Sequence, residues 1–112
     1  MFIDQIDTES AVRIFGEDNQ KKQTIGKIGE LMAAMNQHRI GRVERRVVQE
    51  EIADVMIMME QLAHIYGYYD VELIVKSKMK HLNNCRAEEA WRQRDKRMAK
   101  YKAMEKSNAI GL

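Results

Sequence analysis

Glu51 and Asp54 stand three residues apart in a stretch that is otherwise apolar, with Ile52, Ala53, Val55 and Met56 as neighbours. On a helix, that spacing projects both carboxylates from one face. Paired acids among apolar residues are unfavourable unless a cation compensates them, and hard divalent ions such as magnesium bind through carboxylate oxygens. Glu30 is a third acid in apolar company, beside Ile28, Leu31 and Met32. It precedes Gly41 by about as many residues as Glu51 follows it, so an antiparallel helical hairpin turning at Gly41 makes the three acids converge. The same spacing is common on helices whose acids are solvated or paired with Lys or Arg, so spacing alone leaves both readings open.

The elements that must position these acids read as helices. The 112 residues are 45% hydrophobic and 32% charged, with no proline, which suits long amphipathic helices. Thr8 is the expected N-cap of a short helix ending at Phe15, before Gly16. From about Asn19, apolar residues including Ile25, Ile28, Met32 and Met35 recur at helical spacing until Gly41. A second run from about Val43, with Val48, Ile52, Val55, Met56 and Met59, ends at Gly67. Asp70 is the expected N-cap of a third long helix, which carries Leu73, Ile74, Met79 and Leu82 and continues through Trp91, Met98 and Tyr101 towards Gly111. The expected fold class is all-α: a helical hairpin plus further helices forming a four-helix-type bundle. Met32, Met35, Met56 and Met59 fall on the apolar stripes and are expected in the core. One hairpin cannot bury both stripes, so completion by oligomerisation is expected. Gly26 and Gly29 are read as allowing close approach of another helix.

Bulk properties narrow the function classes. The length suits a single domain, residues 1–112. The net charge of +2 conceals an asymmetry: residues 1–85 carry 11 basic and 13 acidic side chains, whereas residues 86–112 carry 8 and 4. Residues 87–112 thus read as a basic helical extension, but Glu88, Glu89, Asp95 and Glu105 are interspersed as on a solvated helix, which argues against nucleic acid as partner. One cysteine, Cys85, allows no intrachain disulfide, and Asp4, Asp7 and Glu9 are unlike a signal peptide. No run approaches the roughly 18 apolar residues of a membrane span. The expectation is a cytoplasmic protein without membrane contact. His38, His64 and His81 show no metal-ligand spacing with one another or with Cys85 and read as ordinary helix residues. Tyr66, Tyr68 and Tyr69 gather at the second turn, where closing the bundle end is favoured over stacking a base.

The segments Ile28-Gly29-Glu30-Leu31 and Glu50-Glu51-Ile52-Ala53-Asp54-Val55-Met56-Ile57-Met58 resemble the two halves of the MazG-like nucleoside triphosphate pyrophosphohydrolase signature, Glu-x-x-Glu on one helix and Glu-x-x-Asp on the next. The resemblance runs from roughly Phe15 to Arg86 and takes in the Val71 to Lys80 helix. It implies Mg2+-dependent hydrolysis of a nucleoside or deoxynucleoside triphosphate between the α- and β-phosphates, by a homodimer or homotetramer. Glu30 matches the last acid of the first motif, and Glu51 and Asp54 match the acids of the second, so these three are the implied catalytic metal ligands. Glu50 is an adjacent acid and a secondary ligand candidate, one helical step of about 100° away. Lys78, Asn83 and Arg86 lie where related proteins place groups near the phosphates or the sugar.

The sequence departs from the signature at Lys27, where the first acid of Glu-x-x-Glu is expected, and Gly26 offers no replacement. An ammonium three residues before Glu30 points into the same cluster. It lowers the negative charge there, acts as a built-in cation at the metal position, or swings out to grip a substrate phosphate. Two function classes follow: a pyrophosphohydrolase working with three acids, or a non-catalytic helical nucleotide- or protein-binding module of the same fold. They differ in whether the acids hold magnesium.

Overall fold

The computed structural model describes residues 3–110, with side chains through Ser107. They form four helices, α1 (Gln5–Phe15), α2 (Glu17–Arg39), α3 (Arg45–Tyr66) and α4 (Tyr68–Ile110), and contain no strand. The chain is all-α, as its composition predicts.

The helix boundaries follow from glycines and one carboxylate. Asp4, not Thr8, caps α1: its Oδ1 accepts from the backbone N–H of Ile6 at 2.7 Å and of Asp7 at 3.3 Å. A carboxylate at the positive end of the helix is the stronger cap, and it leaves Thr8 inside the helix, where its hydroxyl donates to the Asp4 carbonyl at 2.8 Å. Gly16 ends α1 and starts α2 within one residue. Its N–H donates to Val12 O at 2.8 Å while its own carbonyl accepts from Gln20 N at 3.0 Å, a geometry reached at φ 88°. Asp70 is likewise no cap. It lies in the first turn of α4, whose Val71 N–H donates to the Gly67 carbonyl at 3.0 Å. Gly111, the expected end of that helix, lies outside the described residues.

Helices α2 and α3 form an antiparallel hairpin. Gln20 Nε2 donates to Gln61 Oε1 at 2.6 Å, and Lys27 Nζ donates to Asp54 Oδ2 at 3.4 Å. The members of each pair lie equally far along the chain from the Ile40–Gly41 peptide, and so do Glu30 and Glu51. One register therefore governs the whole seam. Helix α1 lies across the open end of the hairpin, where Gln5 Nε2 donates to Glu60 Oε2 at 2.9 Å and Gln5 Oε1 accepts from His64 Nε2 at 2.6 Å.

The seam is polar. Among the described residues the enclosed side chains are Thr8, Gln20, Thr24 and Gln61, with Ala34 and Met58 as the apolar members. The expected methionine core does not form within this chain. Met32 and Met35 are 60% and 56% exposed, Met59 is exposed, and Met56 is half-buried. The reason is helical phase: Gln20, Thr24 and Lys27 hold the face towards α3, and Met32 and Ile25 lie about 140° and 160° around the helix from Lys27. Gly26 and Gly29 have open space where a Cβ would be, so no described residue approaches them closely.

The chain divides into two units after Val71. In the second, α4 continues without interruption and every described side chain from Leu73 to Ser107 is exposed. The basic extension expected at residues 87–112 is thus the far part of a longer helix. Its charges pair locally, Arg92 with Glu88 and Glu89, and the Arg94 guanidinium lies 4.9 Å from the centre of the Trp91 ring. Among the described residues no helix is long and apolar enough to cross a membrane.

The buried Gln20–Gln61 pair yields a stability test. Gln20→Ala strands the Gln61 amide and is expected to lower unfolding free energy by about 1–3 kcal/mol in urea titrations followed by circular dichroism. The double change to leucine is expected to recover most of that loss. Equal destabilisation by both would show that the amide pair does not organise the seam.

Candidate metal centre

Helix α2 contributes Lys27 and, one turn later, Glu30; α3 contributes Glu51 and, one turn later, Asp54. Because the register is antiparallel, Glu30 is matched to Glu51 and Lys27 to Asp54. Glu30, Glu51 and Asp54 each offer one carboxylate oxygen, and these atoms lie within 4.8 Å of one another. The Lys27 ammonium donates to Glu30 Oε2 at 3.2 Å and to Asp54 Oδ2 at 3.4 Å, bridging the two helices. These pairs are half-exposed, with side-chain exposure of 34% for Lys27 and 45% for Asp54, so solvent screens them and their contribution to stability is modest.

Glu51 differs from the other two acids. Its Oε2 is closed off from solvent and has no hydrogen-bond partner, although the residue as a whole is half-buried. Desolvation of the enclosed carboxylate pushes the Glu51 pKa above the ordinary glutamate range; the neighbouring charges of Glu30 and Asp54 push the same way, and Lys27 opposes them. The Lys27 pKa is also raised, by its hydrogen bond to Glu30 and the charge of that residue, and then by Asp54.

This donor set fits a hard divalent cation. All three groups are oxygen donors, the set preferred by hard ions such as magnesium, calcium and manganese over softer ones. Opposite oxygens around an octahedral magnesium are separated by about 4.1 Å. The carboxylate oxygens here, all within 4.8 Å of one another, are close to that spacing. The ammonium already serves Glu30 and Asp54, so the cluster attracts cations, and the orphaned Glu51 oxygen is a ligand atom that the lysine does not satisfy.

The other expected site residues are placed differently. Glu50 is not in the cluster: its carboxylate accepts from Arg46 Nε at 3.2 Å on the exposed side of α3, as the helical step from Glu51 requires. Lys78, Asn83 and Arg86 are all exposed on α4. Lys78 and Arg86 are about 80° apart around that helix, and Asn83 is about 140° from Lys78, so the three do not share a narrow face. One pairing escaped the sequence reading: Cys85 Sγ lies 3.5 Å from His81 Nε2, an i, i+4 contact on exposed helix surface that the spacing could have signalled. At the α3–α4 turn, Tyr68 stacks on His64 at 5.0 Å and meets Tyr69 edge-on, while Lys21 lies over Tyr66.

A cleft of about 430 Å³ lies where α1, α2 and α3 meet and is lined by Glu9, Arg13, Glu17 and His64 among others. It shares no residue with the acids. Its charged groups are of mixed sign, whereas the acid cluster sets three carboxylates against one ammonium and leaves the Glu51 oxygen unsatisfied, which makes the cluster the stronger candidate. No protein family, curated protein or solved structure matches this chain. Function is therefore read from the site.

The raised Glu51 pKa has a definite sign in stability. Folding favours the protonated carboxyl, so the contribution of this group is full below the ordinary glutamate value of about 4.3 and is lost as pH rises through the higher folded value. In chelator, the urea midpoint of Glu51→Gln is expected to gain on that of the unaltered protein between about pH 4 and pH 8. A gap that is constant with pH would mean that Glu51 is not held in an unfavourable charged state.

Proposed function

We propose that this protein is a magnesium-dependent nucleoside triphosphate pyrophosphohydrolase, converting an NTP or dNTP to the monophosphate and pyrophosphate. The observation that carries the reading is the enclosed, unpartnered Glu51 Oε2 beside two further carboxylates supplied by both helices of the hairpin. The resemblance of the Glu30 and Glu51/Asp54 segments to the MazG-like signature supplies the reaction class.

In this reading Glu30, Glu51 and Asp54 hold the ion. A bound magnesium would supply charge neutralisation for the phosphates and a Lewis acid for the departing pyrophosphate. The chain's own residues do the rest. The rigid seam fixes the three carboxylates on two helices, so their geometry is set before substrate arrives. Glu51 holds a proton more readily than an ordinary glutamate and releases it when positive charge arrives. Lys27 offers its ammonium to a phosphate oxygen. The bond formed joins a water oxygen to the α-phosphorus, and the bond broken links that phosphorus to the bridging oxygen that leaves with pyrophosphate. Contacts of Lys78, Asn83 and Arg86 to phosphate or sugar rest on the resemblance alone.

A homodimer or homotetramer completing the bundle is part of the same proposal. Ile25 and Met32 leave the outer face of α2 apolar, and Gly26 and Gly29 leave room above it for a neighbouring helix. Across α3, Ile52, Ala53, Met56 and Ile57 line an apolar groove of about 360 Å³. Burying such side chains fully is worth about 1.5–3 kcal/mol each, an ample driving force for self-association. Met32→Glu is expected to shift the sedimentation coefficient towards that of a monomer at micromolar concentration; an unchanged profile would remove this face from the interface.

The second reading, a non-catalytic binding module, is favoured by one observation: the Lys27 ammonium already occupies Glu30 and Asp54. Pyrophosphate release from a panel of ribo- and deoxynucleoside triphosphates separates the two. Under the hydrolase reading, the unaltered protein releases pyrophosphate with magnesium, and Glu51→Gln lowers the rate at least about 100-fold. Activity confined to Lys27→Glu would mean an intact pocket whose catalysis has been lost. Silence in both proteins would favour the binding module.

A further inference from the structure

We propose that Lys27 couples cation binding to polyphosphate binding: a divalent ion displaces the ammonium from the acid cluster readily only when a phosphate is present to receive it. The inference rests on reading the cluster as a magnesium site and names what regulates entry to it.

The ammonium donates to Glu30 Oε2 at 3.2 Å and Asp54 Oδ2 at 3.4 Å, two of the three carboxylates that an ion would need. An ion touching both groups would lie within a few ångströms of Nζ, and two positive charges at that distance repel strongly in a partly enclosed site. Lysine and ion therefore compete for the same oxygens. The lysine does not satisfy the whole cluster, because Glu51 Oε2 remains without a partner, so demand for further positive charge persists while the ammonium is in place.

Lys27 is free to leave. Its stem is flexible and its side chain is one-third exposed. A lysine expelled by an ion alone exchanges two ion pairs for water. A lysine expelled by an ion carrying a polyphosphate finds new oxygens on the open side of the cluster, and ammonium is a good phosphate partner. The phosphate thus removes the penalty for moving the lysine. By reciprocity, whatever factor the phosphate adds to ion affinity, the ion adds to phosphate affinity. A site of this kind ignores free divalent cations and responds to the cation–polyphosphate complex, a selectivity that three acids alone lack.

The test compares the unaltered protein with Lys27→Met, using Mn2+ as a magnetic substitute for Mg2+ and water-proton relaxation as readout, with and without an α,β-methylene nucleoside triphosphate. Ion held by the analogue in solution is subtracted. The unaltered protein is expected to bind Mn2+ at least about 10-fold more tightly with the analogue than without it. Lys27→Met is expected to bind Mn2+ alone more tightly than the unaltered protein does, shrinking the coupling to about 2-fold or less. If both proteins bind Mn2+ alone equally well, the coupling is overturned and the metal site stands. If neither binds Mn2+ with or without the analogue, while both melt alike by circular dichroism, the metal-site reading fails and takes the coupling with it. Lys27→Gln, which keeps an amide donor but no charge, serves the same comparison if the methionine variant does not fold.

Discussion

Once α2 and α3 pack antiparallel about the Ile40–Gly41 peptide, every seam residue on one helix has a fixed counterpart on the other. That single register seats Gln20 against Gln61, Lys27 against Asp54 and Glu30 against Glu51. The amide pair and the acid cluster are therefore two products of one constraint. A slip of one residue along either helix would rotate its side chains by about 100° and dissolve both. The short Gly41 turn, with its positive φ of 77°, is what keeps the register from drifting.

A polar seam has a consequence for the rest of the hairpin. Helical period allows each helix one face towards its neighbour, and here that face belongs to glutamine, threonine, lysine and acids. The apolar residues are thereby turned outward, where Met32, Met35 and Ile25 stand in solvent. Directional hydrogen bonds specify which residues meet, and the non-directional hydrophobic contribution is left for contacts outside the chain. Specification and bulk stabilisation are divided between two sides of the same helices.

This division explains what could be read from the sequence. The helices and the convergence of Glu30, Glu51 and Asp54 were legible because both depend on spacing, and spacing survives without knowledge of neighbours. The methionine stripes were legible as stripes but not as exposed ones, since periodicity reports that a face is apolar and not what covers it. The caps differ from expectation for a related reason. Thr8 and Asp70 are good capping residues, but a cap is decided by competition, and Asp4 and the glycine at 67 prevailed. The Gln20–Gln61 pair carries the same signal as the acids, equal distance from the turn.

Trp91 is the sole tryptophan of the chain, and it lies on α4 beneath the guanidinium of Arg94. Its ultraviolet emission is therefore a private reporter of that helix. The tyrosines at the α3–α4 turn, Tyr66, Tyr68 and Tyr69, belong to the first unit and absorb without indole. Fluorescence excited at the red edge, where tyrosine is transparent, records α4 by itself, while far-ultraviolet ellipticity sums all four helices. The two signals together allow each unit's melting to be followed separately in one cuvette, without any added dye.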